Sequence, residues 1–176
     1  LAKRGAEIVL ACKPSKKTDL AVSSLNSVSS VPVINLEVDL ASLESVRNLA
    51  AQFLEKFDSI DVLINNAGIF PPKQKFTEDG FEMQFGVNHL AHFLLTNLLL
   101  DCLERNSPSR VITVSSMLHK KGEIAFESFR GYEKYVSSVA YNNSKLCNVL
   151  FALELAARKA ASGVTSNVLH PGAVST

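Results

Sequence analysis

Short apolar runs alternate along the chain with longer stretches whose apolar residues recur every three or four positions. The runs predict strands over 6–12, 31–38, 60–65, 110–115 and 164–169. The longer stretches predict helices over 15–25, 40–57, 77–103 and 136–161. Over 40–57 the pattern is clearest, with Leu40, Val46, Leu49, Ala50, Phe53 and Leu54 recurring at helical spacing. Pro32 interrupts its strand only near the start, where a missing N–H is tolerated. Strands separated by helices build βαβ units and a parallel sheet. Such strands are covered on both faces and read as unbroken apolar runs, as Ile8-Val9-Leu10 and Val62-Leu63-Ile64 do. The stretch 23–30 is the most loop-like, and neither a repeat nor a low-complexity linker interrupts the alternation.

Length and composition narrow the class. The 176 residues suit one domain over 1–176 with a sizeable core, at 47% hydrophobic and 20% charged residues. Eighteen basic against 17 acidic residues give a net charge of +1, too little clustered charge for a nucleic-acid surface. Lys16-Lys17 and His119-Lys120-Lys121 are short basic runs that suit solvated faces. Three cysteines, Cys12, Cys102 and Cys147, lack metal-ligand or disulfide spacing, so each is expected in the core of a protein from a reducing compartment. No metal is expected. The apolar run around 93–103 is broken by Thr96, Asn97 and Asp101, too short and polar to span a bilayer. No signal-peptide pattern opens the chain.

Chemistry enters with Tyr141 and Lys145. Four residues apart on one predicted helix, they share a face. An ammonium beside a phenol favours the phenolate, which lets the Tyr exchange a proton with a carbonyl or hydroxyl oxygen. Chance also places Tyr and Lys at this spacing, so the pair needs company. Asn65-Asn66-Ala67-Gly68 closes a predicted strand, Asn88 sits in Phe85-Gly86-Val87-Asn88-His89, and Ser115-Ser116 closes Val111-Ile112-Thr113-Val114. Taken alone, Ser115 suits a strand-end cap and Asn88 a helix hydrogen bond.

In this order the segments resemble the short-chain dehydrogenase/reductase family, within it the retinol dehydrogenase-like and WW-domain oxidoreductase-like groups. Leu10-Ala11-Cys12-Lys13, Gly86-Val87-Asn88-His89-Leu90, Ser144-Lys145-Leu146-Cys147-Asn148 and His170-Pro171-Gly172 carry the narrower resemblance. It implies a doubly wound, Rossmann-like parallel sheet with ligands beyond the carboxyl ends of the strands. It implies Tyr141 as general acid/base, Lys145 on the nicotinamide ribose, Ser116 on the substrate oxygen, and Asn88 in a proton path through water. Asp39 and Leu40 would lie near the adenine, although Asp39 also suits a helix N-cap. Asn65, Ala67 and Gly68 would approach the cofactor through backbone, and Pro171, Gly172 and Val174 would close over the nicotinamide, with Thr176 reaching the diphosphate or amide end. Lys13 stands where a cation suits a 2′-phosphate, so the expected cofactor is NADP(H) rather than NAD(H). The implied substrate is a small lipophilic alcohol or carbonyl compound: a retinoid, a steroid or a lipid aldehyde. A homo-oligomer is compatible with the resemblance. The implied location is the cytoplasm or the cytosolic side of an organelle membrane, any anchor lying outside this segment.

The pattern departs from the family in two respects: no glycine-rich turn is present, and the resemblance implies that the 176 residues stop before the region that builds the substrate lid and the last strand. The eight glycines include no Gly-x-x-x-Gly-x-Gly turn, and residues 1–5 look like the end of the helix that follows such a turn. The expectation is an incomplete sheet lacking the family's first strand, in an internal piece of a longer enzyme. The alternative is a non-catalytic product of the same family that acts through protein contacts. A hydrolase is disfavoured, since no Gly-x-Ser-x-Gly elbow is present.

Overall fold

The computed structural model describes residues 1–172. Val174 and Thr176 therefore lie outside the described residues. Five parallel strands alternate with helices: β1 (Val9–Cys12), β2 (Ile34–Glu37), β3 (Val62–Asn65), β4 (Ser109–Val114) and β5 (Val164–Leu169). After β1 comes α1 (Lys16–Asn26), and after β2 comes α2 (Leu43–Leu54). Between β3 and β4 run α3 (Met83–Phe85), a π turn (Gly86–Leu90), α4 (Ala91–Leu98) and α5 (Leu100–Arg105). The long helix α6 (Ser137–Arg158) leads into β5.

The strands form two sheets. In one, β1 pairs with β2 from Val9 opposite Ile34 to Cys12 opposite Glu37. In the other, β4 pairs with β3 on one side and β5 on the other. Among the described residues β1 and β3 each keep one unpaired edge. The fold is Rossmann-like α/β with parallel sheets, and the missing central partner is the gap the glycine pattern implied.

Two apolar clusters hold it together. Leu36 and Val38 pack with Val46, Leu49 and Ala50 of α2 and with Ala91 and Leu95 of α4. Leu103 of α5 packs with Val111 of β4, Leu155 of α6 and Val164 of β5. The second cluster lies on one face of the three-stranded sheet. On the other face Val62, Ile64 and Leu169 are exposed. The expectation that 62–64 is covered on both faces is thus corrected: no described helix lies over that side. Burial also sorts the cysteines, with Cys102 and Cys147 buried and Cys12 only partly so.

Local chemistry sets the helix boundaries. Ser15 caps α1 by accepting from the Thr18 N–H, and α1 ends at Asn26, one residue past the helix expected over 15–25 and inside the stretch 23–30 that reads as most loop-like. Ser42, not Asp39, caps α2, accepting from the Ser45 N–H. Asp39 instead accepts from the Ala41 N–H at 3.0 Å, so the helix starts later than residue 40. The helix expected over 77–103 is broken by the π turn and by Leu99, whose φ is −100° and ψ 5°. No helix of the described residues is long and apolar enough to cross a membrane.

Candidate active site

Parallel pairing brings the carboxyl ends of β3, β4 and β5 to one edge, so 65–68, 115–116 and 170–172 lie along it. The end of β2 joins them. Glu78 N–H donates to Ala41 O at 2.9 Å, and Asp79 Oδ2 accepts from Leu43 N–H at 2.9 Å. Arg130 in turn donates to Asp79 O at 2.7 Å, tying that end to the loop before α6.

Asn88 lies at the centre of the cluster and is fully buried. Its Oδ1 accepts from Ile69 N–H at 2.8 Å, while its Nδ2 donates to Ile69 O at 3.1 Å and to Ser144 Oγ at 3.0 Å. Its amide thus ties the turn after β3 to α6. The helix hydrogen bond expected of it comes through its main chain, whose carbonyl meets His92 Nδ1 at 3.0 Å. A π turn spaces its bonds five residues apart and is frequent at functional sites. Here it points Asn88 across to Ile69.

Lys145 is buried, with Nζ donating to Val114 O at 3.0 Å. Asn148 Nδ2 donates to the same carbonyl at 3.2 Å. No carboxylate is bonded to the ammonium among the described residues. Burial therefore lowers the Lys145 pKa from 10.5 to about 8. Its Nζ stands 5.6 Å from the Tyr141 ring centroid. Gly68 faces the same ammonium: an added Cβ there would sit 3.3 Å from Nζ.

Tyr141 is half-buried, and its ring meets Phe70 edge-on at 4.9 Å. Ser115 donates to Lys145 O at 2.7 Å, so it braces α6 rather than merely capping its strand. Ser116 is partly exposed, and its Oγ accepts from Leu118 N–H at 3.3 Å as the cap of the 3₁₀ turn Met117–Lys121.

The cofactor-side residues divide. Lys13 forms an ion pair with Asp39, linking the ends of β1 and β2. The Lys13 hydrogen bond is the main reason the Asp39 carboxyl sits below the usual carboxylate range. Leu40 is half-buried against the α2 and α4 cluster. Asn65 is buried and donates to Thr96 Oγ1 at 2.9 Å, while its own Oδ1 has no partner among the described residues. Ala67 and Gly68 are exposed, as are Pro171 and Gly172. The exposed backbone at 67–68, with no side chain on Gly68 and the Lys145 ammonium behind it, fits a polar ribose. No described glycine turn offers the backbone N–H groups that would hold a diphosphate. Among the described residues no His, Cys, Asp and Glu group could hold a metal.

Several participants appear in the sequence motifs without an assigned role. Ser144 bridges Asn88 Nδ2 and Tyr141 O. Asn148 links Val114 O to His89 Nδ1, which lies 3.1 Å from its Oδ1. Burial lowers the pKa of both His89 and His92 to about 4, so both stay neutral near pH 7. The hint in the sequence was membership of the motif runs Ser144 to Asn148 and Gly86 to Leu90.

Comparison with known proteins bears on the family and the fold. Human retinol dehydrogenase 13 is 48% identical over 178 residues, covering 100% of this chain and 54% of its own length. Mouse retinol dehydrogenase 14 is 46% identical, with 56% of its length covered. The chain thus spans about half the length of the curated relatives it matches. A Mycobacterium paratuberculosis protein of uncharacterised function superposes with a TM-score of 0.85 at 40% identity, over 100% of this chain and 62% of that one. The NADP complex of Pseudomonas aeruginosa RhlG shares the fold, with a TM-score of 0.78 at 23% identity over 100% of this chain and 65% of that one. The short chain dehydrogenase family matches residues 1–176 in full, and this chain belongs to that oxidoreductase family.

Proposed function

We propose that the protein carrying this chain interconverts an alcohol and a carbonyl on a lipophilic substrate, with NADP(H) supplying or accepting the hydride. The observation that carries this reading is the buried Lys145, which has no acidic partner among the described residues and stands 5.6 Å from the Tyr141 ring centroid. Its positive charge stands beside a half-buried phenol. Tyr141 then passes a proton to or from the reacting oxygen. Ser116, at the mouth of the same edge, donates a hydrogen bond to that oxygen as charge develops on it. Asn88 and Ser144 keep the turn at 68–69 against α6 and so hold Lys145 over Gly68.

The apolar surroundings favour a lipophilic substrate. Phe70, Met117, Leu118 and Val139 are all exposed, and all flank Tyr141 or Ser116 in space or sequence. Lys13 supports NADP(H). Its pair with Asp39 is solvent-exposed, and such pairs contribute only about 0.2–1 kcal/mol. A charge-assisted bond to a 2′-phosphate contributes about 1.5–3 kcal/mol, enough to draw Lys13 from Asp39.

The test is Tyr141→Phe in the full-length gene product. Turnover of a lipophilic aldehyde should vanish while the NADPH dissociation constant changes less than twofold. A variant that keeps near-normal rates sinks the assignment.

A further inference from the structure

Two of the most deeply buried polar side chains take no part in the chemistry proposed above. Glu82 is 1% exposed and Gln84 is 0% exposed. Polar groups this deep are destabilising unless bonded, so their partners show what they hold. Gln84 Nε2 donates to Ser137 O at 2.9 Å and to the Tyr135 hydroxyl at 2.8 Å. The Tyr135 hydroxyl lies 3.3 Å from Pro71 O and 3.5 Å from Glu82 Oε1. Ser137 Oγ donates to Pro71 O at 2.7 Å. Glu82 Oε2 accepts from Phe85 N–H at 2.8 Å, which locks the short helix carrying Gln84.

Ser137 opens α6, and the N-cap of that helix, Val136, offers no side-chain bond. The usual local device, a Ser or Asp at the cap, is missing. In an α-helix the carbonyl of one residue receives the N–H four residues on. For Ser137 that residue is Tyr141. Gln84 therefore grips the carbonyl that also receives the Tyr141 N–H. Pro71 follows Phe70, whose ring meets Tyr141 at 4.9 Å. One network thus fixes both the turn that carries the phenol and the loop that packs against it.

We infer that Gln84, acting through Tyr135 and the Ser137 carbonyl, is a positioning residue that sets the direction of the Tyr141 phenol toward substrate. The inference rests on the acid/base reading of Tyr141. Neither Gln84 nor Tyr135 is assigned contact with substrate. Misplacing a reacting group by about 1 Å costs up to roughly a hundredfold in rate.

The experiment compares wild type, Gln84→Met, Tyr135→Phe and Tyr141→Phe in the full-length gene product. It reads kcat, KM, the pH profile of kcat, the NADPH dissociation constant and the folded fraction. Gln84→Met and Tyr135→Phe should each lower kcat about ten- to a hundredfold and displace the pH profile. Cofactor affinity should stay within twofold. If Gln84→Met does not fold, Tyr135→Phe decides, since it removes one hydroxyl from a half-buried site. A kcat within twofold of wild type, or a loss matching the loss of folded protein with an unmoved pH profile, overturns the inference. Those results beside an inactive Tyr141→Phe would overturn the positioning role alone. An active Tyr141→Phe would overturn the acid/base reading and this inference with it.

Discussion

At the residue scale Lys145 shows a conflict between stability and chemistry. Its pKa of about 8 lies below the ordinary 10.5, so the fold disfavours the charged form. Below pH 8 both folded and unfolded chains carry the proton, and the burial penalty is fully present. Between pH 8 and 10.5 the unfolded chain holds more protons than the folded one, so stability rises with pH across that window. Lys145→Met should therefore stabilise the fold at pH 7, by at most about 3 kcal/mol, while abolishing turnover. Val114 O stays satisfied in that variant because Asn148 still donates to it. Denaturant midpoints at pH 7 and pH 10.5 would check this. The gain should be largest at pH 7 and shrink toward zero at 10.5, and a net loss at pH 7 would refute it. Lys13 makes a second residue-scale prediction. Lys13→Asp should erase or reverse a preference for NADPH over NADH, read as the ratio of kcat/KM values. Equal values for the two cofactors in the wild type would show that Lys13 does not select.

At the element scale close approach of backbone decides more than propensity does. A Cβ on Gly122 would lie 2.5 Å from Asn142 O, a backbone atom of α6 that cannot swing aside. Gly122→Ala should push the Met117–Lys121 turn off α6, costing about 1–3 kcal/mol as overpacking does. Because Ser116 caps that turn, kcat should fall as well. Gly68→Ala provides the contrast. Its Cβ would stand 3.3 Å from Lys145 Nζ, the far end of a flexible side chain. Stability should change little and activity much, measured by thermal midpoint and kcat. Equal stability losses in the two variants would contradict this. The sequence reading reached the elements with continuous patterns, β4, β5, α2 and α6, to within a few residues. It missed the break of the helix at 86–90. That break is held by Ile69 and Ser144, 19 and 56 residues from Asn88, and such partners leave no local pattern. Asn88, Tyr141 and Lys145 were legible through their motif. Gln84 and Glu82 were not, because buried polar residues read as surface until the fold is known.

At the scale of the whole molecule the deciding feature is the split of the sheet in two. Among the described residues β1, β2, β3 and β5 each keep one unpaired edge, β1 bonding to β2 and β3 to β4. Each free edge presents backbone donors and acceptors that a parallel sheet normally satisfies. Beside the β3 edge, Val62 and Ile64 are 41% and 45% exposed, so the edge is apolar as well as unpaired. An edge of that kind invites pairing between copies. Among the described residues no glycine turn lies between the Lys13 end and the Tyr141 end to anchor a diphosphate, and hydride transfer needs reacting atoms about 3–3.5 Å apart. The 176 residues on their own should therefore associate with increasing concentration, bind NADPH weakly and show no measurable carbonyl reduction, although Asn88, Ser116, Tyr141 and Lys145 are all present. Light scattering against concentration, calorimetric titration with NADPH and a reductase assay on the same sample would test all three. Adding a peptide with a strand pattern to fill the gap should lower the scattering if the edges cause it. A monomeric sample that binds NADPH tightly and turns over would mean that the two sheets hold their alignment through α2 and α4 packing alone.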